Sequence, residues 1–135
     1  SSHPEPEERA ARLQKLLDKL NIQPTVNILD DDHTYIAEGS WRFDINQSIG
    51  PTKAKYRAYM LAGSLWTARR KGPINPNHFV VYDMGKTADI YYDDIQLYTI
   101  YPQDTPAGMT TGAYAAKVVE HLRQWGEVVN KSPKK

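Results

Sequence analysis

The chain has no cysteine. That absence excludes a disulfide scaffold, a thiolate zinc knuckle and a thiol nucleophile together. It has no apolar run approaching the roughly 18 residues of a membrane span, so the segment is expected to be soluble and not to insert into a bilayer. It has only four histidines, at 3, 33, 78 and 121, and none stands at HxH or HExxH spacing. A histidine metal site or general base therefore has no support in the spacing. Serines 40, 48 and 64 lack the glycines of a nucleophile elbow. Gly85–Lys86–Thr87 ends like a phosphate loop, but Val80 stands where that motif needs glycine. The first residue is Ser and not Met, so the chain is expected to be an excised or processed piece of a longer protein.

What is present suits one globular domain. At 135 residues the chain can bury one sizeable core, and 40% hydrophobic content argues against disorder. The expected unit is a single domain over 1–135, with frayed tails at 1–5 and 131–135.

The net charge of +1 conceals segregation. Residues 25–44 carry Asp30, Asp31, Asp32, Glu38 and Asp44 against Arg42 alone. Residues 45–82 hold no acid, but carry Lys53, Lys55, Arg57, Arg69, Arg70 and Lys71. Residues 83–104 return to five Asp against Lys86. The ends are balanced over 1–24 and basic over 105–135.

Periodicity gives the elements. Ala10, Leu13, Leu16, Leu17 and Leu20 recur at helical spacing, predicting a helix over 6–20 that Asn21 and Pro24 end. Val26 and Ile28 mark a short strand, and Asp30–Asp32 a turn. Tyr35, Ala37, Gly39, Trp41, Phe43 and Ile45 share one parity, which predicts a single long half-buried strand with Ile36 pointing outward and a bend at Gly39–Ser40. Over 51–71 the pattern favours a helix, with Ser48 as N-cap and Pro51 in the first turn. A hairpin turning at Ala62–Gly63–Ser64 is the competing reading. Strands follow at 79–84, 88–92 and 95–101, with turns at 85–87 and 93–94. Thr110 or Thr111 caps a last helix to about Val129, whose buried stripe is Ala115, Val118, Val119, Leu122 and Trp125.

The order α-β-β-α-β-β-(β)-α pairs strands as hairpins. It predicts an α+β fold: one antiparallel sheet of about four to five strands with helices packed on one face. The other face must then meet solvent, a ligand or a partner.

Three functions compete. Asp30–Asp31–Asp32–His33 with Asp93–Asp94 could hold a hard cation for metal-dependent hydrolysis. A polar hairpin turn is the preferred reading of the first cluster, because Asp bonds its own backbone in turns and no spaced partner fixes a metal geometry. The acid-free block interleaves cations with Tyr56, Tyr59 and Trp66, the minimum for a nucleic-acid surface. On a helix, however, its two basic groups lie roughly 18–27 Å apart. The block better suits a solvated helix whose bases offset the acidic strands beside it. Tyr91, Tyr92, Tyr98 and Tyr101 populate both faces of the second strand region, and Tyr suits wet protein contacts.

The leading reading is a non-enzymatic interaction or assembly domain, its contact driven by segregated charge and exposed Tyr. A protein partner or self-association comes first and nucleic acid second, with no cofactor and no metal expected. The candidate binding residues are Lys53, Lys55, Arg57, Arg69, Arg70, Lys71, Tyr91 and Tyr98.

Overall fold

The computed structural model describes residues 6–20 and 22–131. The tail at 1–5, Ser132–Lys135 and Asn21 lie outside the described residues. Lys131, expected to fray, is the last residue of a helix.

The elements run α1 (Pro6–Lys19), β1 (Thr25–Asp30), β2 (His33–Glu38), β3 (Trp41–Ile45), α2 (Ala54–Arg70), β4 (Phe79–Asp83), β5 (Ala88–Tyr92), β6 (Ile95–Ile100) and α3 (Thr111–Lys131). There are two separate three-stranded antiparallel sheets, β1-β2-β3 and β4-β5-β6. The expectation of one sheet of four to five strands is therefore corrected.

Two features explain the correction. First, the long strand expected across 34–45 is a hairpin. Glu38 pairs directly with Trp41, leaving Gly39–Ser40 as a two-residue turn. Gly39 takes φ +59°, which a side chain disfavours. A two-residue turn pairs residues whose numbers differ by an odd count, so the inward parity switches across it. Thr34, Ile36 and Glu38 then point inward with Trp41 and Ile45. Ile36, expected outside, is fully buried.

Second, among the described residues no strand of one sheet pairs with the other, and β3 and β6 are linked only through side chains. Their seam is filled by side chains. Phe43 and Tyr98 meet edge to face at 5.8 Å. Arg57 donates to the Thr99 carbonyl of β6 and to the Gln47 carbonyl beyond β3. His121 Nε2 bonds the Arg42 carbonyl of β3 while its ring stacks on Trp41 at 5.1 Å. His121 is thus half-buried against β3.

The segment 54–70 is a helix, not a hairpin. It starts later than expected: Lys53 occupies the N-cap position and Pro51 precedes the helix. Ser48 still serves the helix start, accepting a hydrogen bond from the Ala54 N–H at 3.0 Å. Thr110 caps α3 through its hydroxyl to the Ala113 N–H. The five residues of the expected α3 stripe are all buried.

One apolar cluster joins the layers. Ile36, Trp41 and Ile45 of the first sheet, Leu61 and Leu65 of α2, Ile90 and Ile100 of the second sheet, and Leu122 and Trp125 of α3 belong to it. The Trp125 Nε1–H reaches the core-facing Glu38 at 3.1 Å. In α1, Leu13 is half-buried and Leu16 half exposed, and Leu20, just past the helix end, is half exposed as well. The side chains of Ala10 and Leu17 lie outside the described part.

Candidate interaction surface

The basic block and its acidic neighbours meet inside the fold. Arg57, 7% exposed, makes two 2.8 Å bonds to the two carboxylate oxygens of Asp104. This fork-on-fork geometry suits guanidinium alone. Burial works against the Arg57 charge, but its Asp104 bonds and the flanking Tyr98 and Tyr101 hold its pKa above the ordinary value. Arg69 binds both oxygens of the buried Glu38, at 2.7 and 2.8 Å. Lys55 pairs with Asp31 at 2.9 Å, and Lys71 with Asp94 at 3.3 Å. Arg70 lies over the Trp66 ring at 4.5 Å. Lys53 is exposed at the start of α2. The six candidate cations are therefore not brought together. They are strung along both ends of α2, and four of them meet acids from elsewhere in the chain.

The acidic turn is likewise tied to its surroundings. Asp30 accepts from the Asp32 N–H and binds the His33 ring at 2.9 Å. The His33 hydrogen bond, with the Asp32 N–H, holds the Asp30 carboxyl below its ordinary pKa. Asp32 accepts from the Ser48 hydroxyl, and that same Ser48 oxygen serves Ala54. The Asp31 carbonyl accepts from the Lys55 N–H. The turn thus docks on the N-terminal end of α2, where acids are favoured. Asp93 sits in the two-residue turn joining β5 to β6 and pairs with His78 at 2.9 Å. Among the described residues, no three His, Asp or Glu groups converge as a metal site.

Of the two candidate tyrosines, Tyr98 is buried in the seam, and burial raises its pKa. Tyr91 is half-buried on the opposite face of the second sheet, meeting Tyr82 edge to face at 5.2 Å. This face carries what the sequence reading missed. Val80, Tyr82 and Met84 alternate outward and are 39%, 51% and 65% exposed. The signal was present as the parity of Val80, Tyr82 and Met84, but parity alone cannot say which face the helices cover.

A groove of about 350 Å³ lies between α2 and β6, lined by Ile49, Met60, Ser64, Leu97 and Tyr98, with Arg57 at its wall. Its one full charge, Arg57, is already matched by Asp104. Among the described residues, no helix is long and apolar enough to cross a membrane. No family model, no curated protein and no solved structure matches this chain.

Proposed function

We propose that this chain is a non-enzymatic interaction and assembly domain that meets its partner through the outer face of its second sheet. One observation carries the reading: Val80, Tyr82 and Met84 stand exposed in a row beside Tyr91. Clustered exposed apolar groups of this kind mark contact surfaces. The balancing of α2 cations by acids of the strands and loops moves the weight from segregated charge to the tyrosines and their apolar neighbours.

The nucleic-acid reading has less support. Arg57 and Arg69 hold buried carboxylates, and Lys55 and Lys71 meet Asp31 and Asp94, which leaves Lys53 at one end of α2 and Arg70 at the other. Seventeen helical residues separate the two groups by about 25 Å. Retention on heparin at low salt, lost in Arg70→Ala/Lys71→Ala, would favour it over the assembly reading.

The test of the assembly reading is chemical crosslinking of the chain in its source extract, wild type beside Val80→Lys/Tyr82→Lys. Both substituted side chains are exposed, so the melting temperature stays unchanged while the crosslinked species disappear. The same species formed equally by the variant would overturn the reading.

A further inference from the structure

Each sheet has two edges, and an edge strand exposes N–H and C=O groups that invite pairing. Three of the four edges here are closed or interrupted. Strand β1 carries a register shift between Ile28 and Asp30, and runs into the Asp30–Asp32 turn. Strand β3 has its Arg42 carbonyl taken by His121 and carries the Arg42–Asp44 ion pair. Strand β6 lies against α2, with its Thr99 carbonyl taken by Arg57.

Strand β4 packs against α3 as β6 does against α2, but it carries no register shift, and among the described residues no side chain takes its edge-facing main-chain groups. It pairs only with β5. Its sequence, Phe79-Val80-Val81-Tyr82-Asp83, has no proline and no charge before its last residue. Its ladder with β5 is unbroken. The bonds at its two ends, Asp93 N–H to the His78 carbonyl and Met84 N–H to the Thr87 carbonyl, fix the phase of that ladder. In an antiparallel pair the bonded positions alternate. Residues 78, 80, 82 and 84 therefore face β5, and the main-chain groups of Phe79, Val81 and Asp83 face the open edge. Among the described residues, nothing bonds those groups.

We infer that β4 pairs antiparallel with the β4 of a second copy of this chain, with Val81 opposite Val81 on the two-fold axis. This rests on the assembly reading and names its partner. The strand is its own complement. An isologous two-fold contact must place residue i opposite residue j and j opposite i. Keeping the helix-covered faces on one side requires partners of like parity. Centring on Val81 sets Phe79 opposite Asp83, Val81 opposite Val81, and Asp83 opposite Phe79. That engages all three free residues of each strand in six main-chain hydrogen bonds. Centring on Val80 or on Tyr82 engages two free residues of each strand and four bonds. On the outer face the same register sets Val80 against Tyr82 of the second copy, a β-branched–aromatic pair of the favourable kind. The product is one six-stranded sheet, β6-β5-β4-β4-β5-β6, of ordinary width.

The absence of cysteine makes the register directly testable, since no native thiol competes. In the proposed pairing, Val80 and Tyr82 of the second copy form a non-hydrogen-bonded pair with Cα atoms about 4.5 Å apart, within disulfide reach. The single variants Val80→Cys and Tyr82→Cys are mixed and oxidised gently. The expected product is the mixed disulfide dimer of the two variants, with neither variant linking to itself. Homodimers of Val80→Cys or of Tyr82→Cys alone would indicate another centre and overturn the register.

Light scattering on the wild type accompanies it. The mass is expected to double with concentration, and the doubling is expected to be lost in Val81→Pro, which removes an edge-facing N–H and no bond to β5. A chain that stays monomeric and forms no mixed disulfide overturns self-pairing. If crosslinking to a different protein then persists and is still abolished by Val80→Lys/Tyr82→Lys, the assembly reading survives without it; if that also fails, both fall.

Discussion

Arg57 and Asp104, 47 positions apart in sequence, face each other as a closed two-bond pair at the seam between the sheets. Both side chains are buried, and the remaining Arg57 donors reach Gln47 and Thr99. Removing one partner leaves the other charge buried without compensation. Arg57→Ala is therefore expected to cost about 3–5 kcal/mol. Arg57→Lys keeps the charge, loses the fork and falls between the two. Urea melts of the three proteins check this; an unchanged midpoint for Arg57→Ala would contradict it.

The Asp30 carboxyl titrates low because His33 and the Asp32 N–H bond its ionised form. A carboxyl depressed by folding stabilises the fold above its unfolded value, near 3.8. That contribution is lost as pH falls through the lower folded value. His33→Ala is expected to move the Asp30 titration upward toward the ordinary value, read by NMR of the carboxyl carbon. No movement would contradict the assignment to His33.

Tyr59 is 3% exposed, and its hydroxyl has no hydrogen-bond partner among the described residues. Burial accordingly raises its pKa. An unpaired buried hydroxyl is a cost, so Tyr59→Phe is expected to stabilise the fold by about 1 kcal/mol. A loss of stability in a thermal melt would show that the hydroxyl is satisfied.

Two helical glycines are expected to respond oppositely to alanine. A Cβ on Gly126 would stand 2.8 Å from the Ile74 Cγ2, and Ile74 is buried. Gly126→Ala should cost about 1–3 kcal/mol by overpacking. A Cβ on Gly63 meets nothing within 4 Å, so Gly63→Ala should gain about 0.5–1 kcal/mol. Chemical denaturation of both variants checks the contrast.

The legible parts of the fold were those set by local pattern. The α3 stripe from Ala115 to Trp125 and the strand order of the second half follow from spacing alone. The two-sheet division does not, because it depends on the turn at Gly39–Ser40 and on the two sheets meeting through side chains without pairing. Gly39–Ser40 reads as a bend until Glu38 is seen opposite Trp41, and then every parity before it reverses. The candidate site divides in the same way. The six bases were visible as a block, but their partners Asp31, Glu38, Asp94 and Asp104 come from distant positions that spacing cannot link. Tyr91 was legible as a strand tyrosine. Its exposed neighbours Val80, Tyr82 and Met84 gain meaning only with the open edge of β4 beside them.

Amide hydrogen exchange on the wild-type chain, followed residue by residue with concentration, tests the central claim most directly. In dilute solution Val80 and Tyr82, bonded to β5, should exchange slowly, while Phe79, Val81 and Asp83 exchange fast. At high concentration Phe79, Val81 and Asp83 should become protected together. If these three amides stay fast at every concentration at which the chain self-associates, β4 is not the contact and the account fails.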